Sequence, residues 1–245
     1  MQPAIESVQA DRAVLLEICG GLTSAEWQTP SGCPGWSVQD LVTHLANTCW
    51  AMVDPSRLPD TAGQPSEQAQ EMQVQARRGR PPAEAAADYE EASKILVERL
   101  TALAGVQDEV PLGDLGTYPV NMLAYAYAFD HYTHIRADLF APRGPLNGEP
   151  PPSDELRLAP TLTWIEAALP QQNRGAAAGP AVEIRVTGAA AREIILGEGH
   201  PRATVTSDAP AFVRWVTQRG TWEALGVQAA GDEDALASAR TLHVF

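Results

Sequence analysis

The chain has 245 residues, 44% of them hydrophobic and 20% charged, with 17 Lys and Arg against 31 Asp and Glu for a net charge of -14. That length suits two modest domains, and a surface so acidic repels a phosphate backbone, which excludes DNA or RNA as the expected partner. No window reaches the ~18 uninterrupted apolar residues of a membrane span, and the first residues, MQPAIESVQADRA, lack the basic start and apolar run of a secretory signal. The expectation is a soluble cytoplasmic protein whose three cysteines, Cys19, Cys33 and Cys49, are free thiols.

In chain order, residues 4 to 20 space Ile5, Val8, Leu15, Leu16 and Ile18 as an amphipathic helix ending at Gly20 and Gly21. A short helix follows from about Thr23, then a turn-rich stretch from Thr29 to Gly35. Ser37 with Asp40 three residues on is an N-cap signature for a helix running to about Val53. Residues 54 to 82 are rich in Pro, Gln, Ser and Arg and predict a long, mobile connection with a short helix near Glu67 to Arg77. Further helices are expected from Ala83 to Ala104 and from Pro119 to Phe140, completing an antiparallel four-helix bundle over residues 1–146.

A proline-rich linker, APRGPLNGEPPPSDE, starts at Ala141. Beyond it the sequence predicts a helix from Leu158 to Leu169, strands at Val182 to Thr187, Glu193 to Leu196 and Ala203 to Thr206 with a turn at Gly197 to Gly199, and helices at Ala209 to Arg219 and Glu233 to Leu242. This makes residues 157–245 a small α+β domain with an antiparallel sheet, and the whole chain α+β.

Chemistry concentrates in Phe129-Asp130-His131-Tyr132-Thr133-His134. Asp130 and His134, four apart, project from one helix face, and His44 on the capped helix supplies a third donor at the edge of its apolar face. Two imidazoles and one carboxylate leave coordination positions open, the pattern of a catalytic metal site. Spacing alone also admits a surface ion pair, and His131 with His134 would reach one ion equally well. Asp40 and Asp138, each one turn from a histidine, are candidate acceptors for ring N–H groups. Cys33 has no histidine near it in sequence and reads as part of a structural turn, with Trp27 and Trp36 as core anchors.

The stretch Trp27-Gln28-Thr29-Pro30-Ser31-Gly32-Cys33-Pro34-Gly35-Trp36-Ser37-Val38-Gln39-Asp40-Leu41-Val42-Thr43-His44-Leu45 resembles the N-terminal signature of the mycothiol-dependent maleylpyruvate isomerase family, a branch of the DinB-like metal-binding four-helix bundles. The resemblance implies that His44, Asp130 and His134 hold one divalent ion, most simply Zn2+. Asp130 departs from the glutamate common at that position. It implies a low-molecular-weight, mycothiol-like thiol as cosubstrate and an isomerisation or S-transfer on a small electrophilic substrate. It admits a homodimer, as DinB-like bundles do. Residues 157–245 are more weakly similar to the family's sterol-carrier-like C-terminal domain, where Arg219, before Gly220, is a candidate to bind a substrate carboxylate, the alternative being an exposed arginine at a helix end. Two other classes fit the same residues: a non-catalytic metal-binding stress or regulatory protein, and a carrier of a small apolar ligand.

Overall fold

The structure is a computed structural model that describes residues 1–245. The chain divides into two compact units, the first made of residues 1–109 and 119–152, the second of 110–118 and 153–245. The sequence predicts these bodies as 1–146 and 157–245, which leaves the short segment 110–118 inside the first.

The first unit is helical. Helix α1 (Gln2–Gly21) is followed by a single turn, α2 (Ser24–Trp27), and by α3 (Val38–Val53). Both α2 and α3 open with a complete capping box, Thr23 with Glu26 and Ser37 with Asp40, so two otherwise orphaned backbone N–H groups are satisfied at each start. The connection after α3 contains α4 (Ser66–Gln75), then α5 (Pro82–Ala102). It is tied to its surroundings: Val74 is fully buried, Arg77 donates to Asp88 at 2.6 Å and to the Arg57 carbonyl at 3.1 Å, and Arg78 donates to Asp40 at 3.2 Å.

The last helical segment changes pitch twice. A 3-10 turn at Val120–Met122 leads into α6 (Leu123–Thr133), which widens into a π-helical turn over His134–Leu139. The sequence predicts one uninterrupted helix here; apolar spacing does not register a π turn, which is a local feature frequent at functional sites. The core joins Leu15 of α1, Leu41, Val42 and Leu45 of α3, Tyr89 of α5, and Ile135 and Leu139 of the π turn. Each such side chain, fully withdrawn from water, contributes about 1.5–3 kcal/mol. A buried ion pair crosses this unit: both terminal nitrogens of Arg136 reach Asp11, at 3.0 and 2.8 Å, and Arg136 also donates to the Pro152 carbonyl, fixing the end of the proline-rich segment.

The second unit begins with a two-stranded ribbon, β1 (Glu109–Pro111) and β2 (Thr117–Pro119), that no sequence signal announced. Helix α7 (Glu155–Gln172) holds it: the Tyr118 and Trp164 rings lie 4.6 Å apart, and the Gln171 amide bonds both the N–H and the carbonyl of Thr117. After a short α8 (Arg174–Ala177) come β3 (Pro180–Thr187), β4 (Arg192–Leu196) and β5 (Glu198–Asp208), then α9 (Ala209–Val216), α10 (Trp222–Leu225), β6 (Gln228–Gly231) and α11 (Glu233–Arg240). The sheet order is β4-β3-β5-β6. Its outer pairs are antiparallel, with Ile184 opposite Ile194 and Val205 opposite Ala229, while the central β3–β5 pair is parallel, with Ile184 opposite Val205. The parallel pair follows from the one-residue link between β4 and β5: Gly197 (φ +109°) carries the chain across the start of β3, where a Cβ would come within 2.6 Å of the Ala181 Cα. No helix is long and apolar enough to cross a membrane.

Candidate metal centre

The three predicted donors meet. His44 comes from the middle of α3, Asp130 from α6, and His134 from the first residue of the π turn. The Nε2 atoms of both histidines lie 3.4 Å from the same carboxylate oxygen, Asp130 Oδ1, and the two rings meet edge to face at 4.9 Å. Donor atoms of all three residues fall within 4.8 Å of one another. Zinc bonds of about 2.0–2.1 Å in tetrahedral array put neighbouring donors about 3.3–3.4 Å apart, so the donor set and its spacing fit such an ion. The other Asp130 oxygen lies 3.4 Å from the Thr48 hydroxyl, one turn after His44, whose shorter bond is to the Leu45 carbonyl at 3.0 Å.

Electrostatics follow from this packing. Burial alone would raise the Asp130 carboxyl, yet the imidazoles of His44 and His134 outweigh it and hold Asp130 well below its ordinary value. Burial alone would lower His134, but the Cys33 sulfur and the carboxylates of Asp130 and Asp138 raise it well above the usual imidazole range. Asp138, fully buried, accepts from His134 Nδ1 at 2.9 Å and so leaves Nε2 turned toward Asp130 and His44.

His131 does not join the cluster. It is completely buried on a different face of α6, with Nδ1 on the Tyr127 carbonyl at 2.8 Å and its ring 5.8 Å from Tyr89 of α5. Asp40, read as an acceptor for a histidine ring, instead closes the capping box by accepting from the Ser37 N–H and pairs with Arg78. Trp27 is the core anchor expected, but Trp36 is not: it lies 5.0 Å from the His44 ring, with its indole N–H donated to Glu71. Arg219 lies in the second unit just after α9, where its guanidinium donates to the Thr217 carbonyl.

Sequence reasoning passed over Cys33. Its sulfur is 3.5 Å from His134 Nδ1 and 3.3 Å from Asp138 Oδ2, a juxtaposition across 101 and 105 residues that no local pattern carries. The fold makes it by docking the turn onto the π segment: Gly32 N–H donates to the Asp138 carbonyl at 2.8 Å, and a Cβ on Gly32 would sit 2.8 Å from the Asp138 Cα, so this position has room only for glycine. Cys33 and Trp36, in contact with His134 and His44 respectively, both line a cavity of about 750 Å3 whose other walls include Ser31, Ser37, Arg78 and Arg143. The only signal available was the thiol itself, placed in the Cys-Pro-Gly-Trp turn of the motif.

Comparison with known proteins identifies the fold and the family. Two crystal structures of a mycothiol-dependent maleylpyruvate isomerase, one of them of a histidine-to-alanine mutant, share the fold at TM-scores of 0.65 and 0.64, with 15% identity over 94% of this chain and 93% of theirs. No curated protein matches the sequence. The family model described as the mycothiol maleylpyruvate isomerase N-terminal domain matches residues 8–139, more than half of the chain and all three clustered donors, so the chain belongs to that family.

Proposed function

We propose that the protein is a metal-dependent enzyme that uses a small thiol, mycothiol-like, to isomerise or S-conjugate a small electrophilic substrate, in the manner of maleylpyruvate isomerase. The observation that carries the reading is the convergence of His44 and His134 Nε2 on one Asp130 oxygen beside an open cavity. His44, Asp130 and His134 would hold one divalent ion, zinc by the chemistry of the donors. When bound, the ion supplies the Lewis acidity that keeps a small thiol ionised and nucleophilic at neutral pH.

The chain's own residues set the rest. Asp138 holds His134 in the tautomer that offers Nε2. Trp36 screens the His44 side from water with its ring. The thiolate adds to a conjugated double bond, the former double bond rotates, and expulsion of the same thiolate gives the trans isomer with the thiol regenerated. Where the electrophile carries a leaving group, displacement gives the S-conjugate instead.

The test is turnover of maleylpyruvate by purified protein with and without mycothiol, alongside Co2+-substituted protein titrated with the same thiol. The expected result is turnover only with thiol, and a sulfur-to-cobalt charge-transfer band with proton release on binding. A cobalt spectrum indifferent to thiol would remove the thiol chemistry and leave a plain metal-binding bundle.

A further inference from the structure

The cavity next to the His/Asp cluster holds a cation that the proposed chemistry does not use. In a chain of net charge -14, the lining of this cavity contains two arginines and one acid, Asp40. Arg78 is committed: Nε donates to Asp40 at 3.2 Å, Nη2 to the Gly35 carbonyl at 3.0 Å, and Glu71 stands at 3.6 Å. Arg143 differs. Only Nη2 has a firm partner, the Gly32 carbonyl at 2.6 Å, while Nε is buried with no hydrogen bond and stands 3.6 Å from Asp138 Oδ1. The charge of that carboxylate is already engaged through its other oxygen by His134 and Cys33.

We infer that this cavity binds a small carboxylate anion on the Arg143 guanidinium. The inference rests on the proposed function and adds to it a positioning residue, Arg143, that anchors the substrate's carboxylate from within the helical unit. Three observations and one consequence of the proposed ion support it. The Arg143 side chain is 30% exposed, and the outer edge of its guanidinium, Nη1 with the second Nη2 hydrogen, is unspent and can meet a carboxylate end-on. The volume falls within the range of about 300–1,000 Å3 of small-molecule sites. The turn bearing Arg143 is built, not loose: Gly144 N–H bonds the Phe140 carbonyl at 2.8 Å and Leu146 N–H the Leu139 carbonyl at 2.9 Å, so the side chain is presented from a braced position directly after the π segment. Finally, with the proposed divalent ion bound, the ion and Arg143 together would exceed the charges of Asp130 and Asp138 by one positive unit, which would favour an anion over a neutral ligand.

The experiment is calorimetric titration of the zinc-loaded full-length protein with maleate, a dicarboxylate probe, with zinc content measured for every variant. Arg143→Gln should weaken binding by about tenfold or more, and Arg143→Lys, which keeps the charge and loses the fork, should fall between it and the wild type. Arg57→Gln, which removes the same charge from a residue that does not line the cavity and pairs with Glu91, should stay within about twofold. Wild-type affinity in Arg143→Gln overturns the inference. Should that variant lose zinc, the lysine variant decides: full zinc with undiminished maleate affinity also overturns it. The two readings separate cleanly, because Arg143-dependent maleate binding in a protein whose cobalt spectrum ignores thiol counts against the thiol chemistry alone, and a thiol-responsive spectrum with maleate binding indifferent to Arg143 counts against this inference alone.

Discussion

At the scale of residues, the site is a set of side chains whose states are fixed by their neighbours. His134, raised well above the ordinary imidazole range, carries a proton in the metal-free protein that an incoming ion must displace. Metal affinity should therefore rise with pH, by about tenfold per unit while one proton is released, and level off above the raised His134 value; Asp130, held low, stays ionised throughout and adds no slope there. Competition titrations with a chelator at several pH values measure this, and a flat profile would contradict the assignment of the His134 proton. Asp138→Asn should weaken metal affinity by about 10–100-fold without removing a ligand, because it frees the His134 ring to turn. The thiols should separate as well. Burial pushes Cys19 up to about 12 and Cys49 higher still, whereas Cys33 lines the cavity, so a thiol reagent should label one cysteine in the native protein and all three after denaturation. Labelling lost in Cys33→Ser identifies the residue; native labelling at Cys19 or Cys49 would contradict the packing.

At the scale of elements, the sequence was readable where structure is local. The capping boxes at Thr23 and Ser37, the helix periods and the strands β3 to β5 all depend on residues within a few positions of one another. Asp130 and His134 were legible for the same reason, and His44 came from a motif. What escaped depends on distant partners. The π turn that begins at His134, the Cys33–Asp138 contact and the β1–β2 ribbon, whose three-residue strands are held by Trp164 and Gln171 of α7, leave no periodic trace. The central parallel pair β3–β5 was equally invisible, since strand order is decided at Gly197 and not by the strands. The docking of the Gly32–Cys33 turn on the π segment gives a test at this scale. Gly32→Ala places a methyl group against the Asp138 backbone and should cost about 1–3 kcal/mol in chemical denaturation while weakening metal binding with it. Unchanged stability and metal affinity would show that the turn does not brace the site.

At the scale of the whole molecule, all three proposed metal donors belong to the first unit, while 110–118 leaves that unit to join the second. A fragment of residues 1–152 should consequently fold, remain helical and bind metal, with proteolysis concentrated at 110–118, where the ribbon has lost Trp164 and Gln171. A fragment that binds no metal would mean that the site needs the second unit. The central claim, that His44, Asp130 and His134 hold one divalent ion, is tested most directly by elemental analysis of full-length protein purified without chelator, compared with His44→Ala, His134→Ala and His131→Ala. We predict about one divalent ion per chain in the wild type and in His131→Ala, and loss of most of it in His44→Ala and His134→Ala. A full equivalent retained in both of those variants, or loss in His131→Ala equal to that in His134→Ala, would contradict the account.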